Sequence, residues 1–68
     1  MSQKILDWEL DEARICGPYR YEIFKVVMAD GRPLWKGFVV FSNGTDQWME
    51  HWDKGSLRNI LITLGQNL

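Results

Sequence analysis

The chain has 68 residues, 46% hydrophobic and 25% charged, with a net charge of −1 at neutral pH. A chain of this length forms one domain, residues 1–68, and buries only about 60% of its unfolded surface. The composition excludes a disordered polymer and a strongly basic nucleic-acid binder. Cys16 is the single cysteine, so an internal disulfide is excluded. The opening MSQKILDWEL lacks the apolar run of a secretory leader, and no stretch reaches the roughly 20 apolar residues that cross a bilayer. The expectation is a cytoplasmic protein with no membrane segment.

Charge is unevenly spread. Residues 1–13 carry Lys4 against Asp7, Glu9, Asp11 and Glu12, a net −3. Residues 14–36 carry Arg14, Arg20, Lys25, Arg32 and Lys36 against Glu22 and Asp30, a net +3. The remainder is −1, from Lys54 and Arg58 against Asp46, Glu50 and Asp53.

In residues 4–16, Leu6, Trp8 and Leu10 alternate with Asp7, Glu9 and Asp11, the period of a strand. A helix capped by Ser2 and stopped at Gly17-Pro18 is the alternative, but Glu9 and Glu12 would interrupt its apolar arc. Residues 19–28 and 33–42 are rich in aromatic and β-branched side chains and flank Asp30-Gly31, which predicts a hairpin with a type I′ turn. Pro33, lacking a donor, belongs at the start of the second strand. Alternation sets Phe24, Val26 and Met28 on one face of the first strand and Tyr21, Ile23 and Val27 on the other, with Lys25. On the second strand, Trp35, Gly37, Val39 and Phe41 oppose Leu34, Lys36, Phe38 and Val40. Neither face is polar, so both are expected to be covered: by a helix, the N-terminal segment or another chain.

Residues 42–55 read either as a short helix capped by Thr45 or Asp46, or as a strand after an Asn43-Gly44 turn. Trp48 and Trp52, four apart, fall on one side in both cases, either as a lid on the core or as a binding patch. Ser56 is the expected N-cap of a C-terminal helix whose Leu57, Ile60, Leu61 and Leu64 form one apolar stripe, with Gly65 as its C-cap. The fold class expected is α+β: an antiparallel three-stranded meander, with residues 42–55 holding the candidate fourth strand, and the helix packed on it.

One histidine and one cysteine are too few for a zinc pattern, so no metal or cofactor is expected from Cys16, Glu50, His51 and Asp53. Cys16 with His51 is the only nucleophile–base pair, and no catalytic motif surrounds either, so a non-catalytic protein is expected. Aromatic and basic residues of the hairpin, Arg20, Tyr21, Lys25 and Lys36 with Tyr19 and Phe38, could stack single-stranded bases, although the acidic balance opposes phosphate. The preferred reading is a protein–protein module, with Trp48, Trp52, Glu50, His51 and Asp53 as its contact surface. So small a chain also needs extra buried surface, so a homodimer or other homo-oligomer is expected. Small acidic stand-alone α+β proteins are often inhibitors or adaptors encoded by phages and mobile elements, docking on a host complex.

Overall fold

The chain folds as four strands followed by one helix. The computed structural model describes residues 5–67. These form β1 (Ile5–Ile15), β2 (Arg20–Met28), β3 (Pro33–Val40) and β4 (Asp46–His51), an antiparallel meander in the order β1-β2-β3-β4, followed by α1 (Lys54–Gln66). The α+β class holds, and the sheet has four strands. Residues 5–15 are a strand throughout, which removes the N-terminal helix; its Ser2 cap lies outside the described residues. Residues 46–51 likewise pair with β3 rather than coil. Among the described residues no helix is long and apolar enough to cross a membrane.

The hairpin turn differs from the type I′ expectation. Among the described residues only glycines have positive φ, and in this turn that is Gly31 at 80°. Gly31 N–H donates to the Met28 carbonyl at 3.0 Å, and Val27 faces Pro33 in the register. The connection is therefore a three-residue loop whose last residue alone is left-handed. Asp30 keeps an ordinary backbone and turns its carboxylate onto the backbone N–H and the Nε of Arg32, each at 3.0 Å.

The helix covers one face of the sheet. Tyr21, Ile23 and Val39 meet Leu57 and Leu61 there, and all five are fully buried. Each buried leucine contributes about 1.5–3 kcal/mol. Close approach is set by two glycines. A Cβ on Gly37 would lie 2.8 Å from both the Glu22 carbonyl oxygen and Leu61 Cδ1. At Gly65 it would run into the Tyr19 ring. Gly65 is therefore inside the helix and not its left-handed cap; α1 runs on to Gln66, and Asn67 N–H closes it on the Leu64 carbonyl at 3.3 Å. The N-terminus also moves. Asp53 is the cap, its Oδ2 accepting from Ser56 N–H at 2.8 Å, so Ser56 sits inside the first turn as donor.

An ionic staple ties β1 to the helix. The register of β1 slips between Leu10 and Glu12, which brings Glu12 opposite Ile23 on the helix side. Its carboxylate accepts from Tyr21 Oη at 2.7 Å and from Arg58 Nε and Nη2 at 3.0 and 2.8 Å. Lys54 Nζ lies 3.2 Å away and also pairs with Asp11. The Arg58 bonds, then Tyr21, hold the Glu12 carboxyl down to about 2, from an ordinary 4.5. Such a carboxylate contributes stability above its unfolded value, and that contribution is lost as pH falls through the folded one.

Two outcomes are expected. Gly37→Ala should cost about 1–3 kcal/mol, because the Glu22 carbonyl cannot yield. At about 4–8 °C per kcal/mol, a thermal melt should then fall by at least ~4 °C. The wild-type melting midpoint should also drop between pH 4.5 and about 2, and Glu12→Gln should flatten that slope while lowering the plateau at neutral pH.

Candidate functional site

One helix leaves the other side of the sheet without a helical cover. Strand parity places Trp8 and Leu10 of β1, Phe24 of β2, Phe38 of β3 and Trp48 of β4 on that face. Their rings form a continuous cluster. Phe38 and Trp48 have centroids 4.8 Å apart, Phe24 and Phe38 6.0 Å, and Trp8 and Phe24 5.6 Å. Trp8 and Trp48 come from the two edge strands, yet they lean together edge to face at 6.1 Å. All these separations fall within the 4.5–7 Å at which aromatic pairs attract.

The cluster is covered incompletely. Trp8 remains 40% exposed and Trp48 49%, and Leu10 beside them is exposed as well. A cleft of about 500 Å³ opens along it, lined by Trp8, Lys36, Trp48, Met49 and Glu50. Cations lie against the rings: Lys36 Nζ is 5.4 Å from the Trp8 centroid, and Arg20 Cζ is 5.7 Å from that of Phe38. Acids offset them. Arg20 pairs with Glu22 at 2.8 Å, Lys36 faces Glu50 across the ladder, and Asp46 shares the same face. The face thus carries Arg20 and Lys36 against Glu22, Asp46 and Glu50.

At the far end of the hairpin, Val26, Met28 and Leu34 form a second buried cluster on this side of the sheet. Apolar side chains therefore run along the length of this face, with the aromatics in its central part.

The contact residues expected from sequence divide between locations. Trp48 and Glu50 lie on the aromatic face. Trp52 follows the end of β4, 53% exposed, with the Arg32 guanidinium 5.4 Å from its ring and no ring contact to Trp48 among the described residues. His51 falls on the opposite parity, and its Nδ1 accepts from Asp53 N–H at 3.0 Å. Asp53 is engaged as the helix cap, and the Ser56 N–H bond holds its carboxyl below the usual range. Of the rival set, Arg20 and Lys36 share the aromatic face. Tyr21 is fully buried under the helix, and Lys25 lies on the helix-side parity.

Trp8 and Phe24 complete the site and were not among the candidates. Neither link follows from parity within a strand: Phe24 shares a face with Phe38 through the β2–β3 register of the three-residue loop, where a two-residue Asp30-Gly31 turn would have set it against Gly37, and Trp8 joins them through the β1–β2 register, which pairs it with Val26.

Cys16 and His51 do not form a dyad. Cys16 lines a hollow with Tyr19, Gly65 and Gln66 at the C-terminal end of α1, whereas His51 bonds to the cap at the N-terminal end. A helix of 13 residues separates them by about 20 Å. Among the described residues no group of three or more His, Cys, Asp or Glu is placed to hold a metal ion.

No family model matches the chain, and no curated protein or solved structure matches it.

The placement of Asp53 is checked by circular-dichroism melting. Asp53→Ala should lower the midpoint, and Asp53→Asn, which keeps an acceptor for Ser56 N–H, should restore most of the loss. An unchanged Asp53→Ala melt would remove the capping role.

Proposed function

We propose that the protein is a non-catalytic protein-binding module whose contact surface is the aromatic face of the sheet. The observation that carries this reading is the pair of half-exposed indoles, Trp8 and Trp48, meeting over Phe24 and Phe38 on the side the helix leaves open. Large, rigid aromatic rings supply contact area at low entropic cost and dominate interface energetics. Their rim of paired charges, Arg20 with Glu22 and Lys36 beside Glu50, suits a protein surface of mixed polarity. The small size and slightly acidic balance fit an inhibitor or adaptor that docks on a larger complex.

A second reading has one observation in its favour: Lys36 and Arg20 stand beside exposed rings, as cations do in sites that stack single-stranded bases. It ranks lower because three acids share that face with the two cations, leaving no surplus charge for a phosphate backbone.

Trp48→Ala decides between function and structure at this face. Removing a half-exposed ring from the cluster should cost about 1–2 kcal/mol and leave a folded domain. A partner co-purified from the source cells and then re-bound in pure form should lose most of its affinity for the variant. Titration of the wild type with a fluorescent single-stranded oligonucleotide should show no salt-sensitive binding; affinity that falls steeply with salt would replace the protein-partner reading with the nucleic-acid one.

A further inference from the structure

β1 differs from the other strands in what it buries. Of its 11 residues, Glu12 alone is not exposed. Both buried clusters draw their side chains from residues 19–61, and neither takes one from β1. α1 lies over β2, β3 and β4, and among the described residues its backbone does not approach β1. The ladder from β1 to β2 is interrupted twice, between Ile5 and Asp7 and between Leu10 and Glu12. An edge strand that gives nothing to the core is held by its ladder and by a few side chains, and such a segment opens at lower free energy than the core.

The side chains that hold it sit at two places. On the helix side, Lys54 and Arg58, one helical turn apart, reach across to β1. Arg58 clasps the Glu12 carboxylate with two N–H groups at 3.0 and 2.8 Å, and Lys54 pairs with both Glu12 and Asp11. Tyr21 Oη adds a further bond to Glu12. On the open side, the Trp8 ring packs on Phe24 and Trp48, with Lys36 over it. Trp8 and Glu12 are four residues apart, so in a regular strand they would share a face. The slip between Leu10 and Glu12 sends them to opposite faces, Trp8 beside Val26 and Glu12 beside Ile23. One strand is thereby fastened to the helix on one side of the sheet and supplies half of the indole pair on the other.

We propose that β1 is a detachable strap: latched by Glu12 to Arg58 and Lys54 it completes the aromatic site, and its release as a unit withdraws Trp8 while β2–β4 and α1 stay folded. Every side chain of the two buried clusters remains in place when the strap leaves. The released segment stays tethered through the Gly17-Pro18 turn. Tyr21 Oη passes from Glu12 to water, and Trp48 loses its edge-to-face partner. Latch and ring are coupled through the strand that carries both. Weakening the latch lowers the population with a complete site, and any contact that favours Trp8 in place tightens the latch. The inference uses contacts within the chain alone and holds whatever molecule the aromatic face takes.

Amide exchange of the full chain at rising denaturant tests it. The amides that join β1 to β2 should exchange through an opening with weak denaturant dependence, faster than α1 and the β2–β3 ladder, which follow the steep dependence of global unfolding. Glu12→Gln should speed the whole β1 ladder at least about tenfold. Trp8→Ala should speed it several-fold, at residues 12–15 as well as at 7–10. Val39→Ala weakens the part that is folded in both states, so it should speed exchange in α1 and leave the β1 ladder unchanged. A β1 ladder that exchanges only at the rate of α1 overturns the proposal, as does one that Val39→Ala speeds as much as α1. So does a result in which Glu12→Gln and Trp8→Ala each act only on their own side of the Leu10–Glu12 slip, because the strand would then be two independent segments.

Discussion

One helix cannot cover both sides of a four-stranded sheet, and most of this protein's character follows from that. α1 brings Leu57 and Leu61 onto Tyr21, Ile23 and Val39, and every other large apolar group must find cover within the sheet or stay partly wet. The close seat of the helix depends on two positions without side chains. Gly37 lets β3 come under Leu61, and Gly65 lets the last turn lie on the Tyr19 ring. With the helix committed to that side, the opposite one closes as far as it can by leaning Trp8 and Trp48 together over two phenylalanines.

The charges divide their work along the same line. On the helix side they are structural: Glu12 gathers Tyr21, Arg58 and Lys54 and ties the edge strand to the helix, and Asp53 starts the helix. These bonds replace contact area that so short a chain lacks. On the open side the charges are paired within the rim, Arg20 with Glu22 and Lys36 beside Glu50, and leave the rings between them exposed. An aromatic surface with a neutralised border is what a protein partner of mixed polarity can displace water from.

The strands and their faces were legible because a period of two is a local property. Leu6, Trp8 and Leu10 against three acids, and the two hairpin strands, are enough to mark the strands and to separate the two faces of each. Local signals misled where several residues could satisfy one orphan group. Asp53 and Ser56 are both good caps, and the one whose carboxylate reaches back over the first turn took the role. Asp30-Gly31 fits a two-residue turn as well as a three-residue loop, and the Arg32 bonds to Asp30 accompany the second. Trp48 and Trp52 would share one side of an uninterrupted element, but the strand ends at His51, between them.

Sequence alone determined the class of fold, the two faces within each hairpin strand, the side of the helix that carries Leu57, Leu61 and Leu64, and the excess of apolar surface over what one short helix can hide. These rest on composition and on spacings of two to four residues. Tertiary structure decided which aromatics meet and which acids anchor the helix. Those depend on registers between segments far apart in the chain, and a slip of one residue at Leu10–Glu12 is what swings Glu12 under Arg58 while Trp8 stays above Phe24.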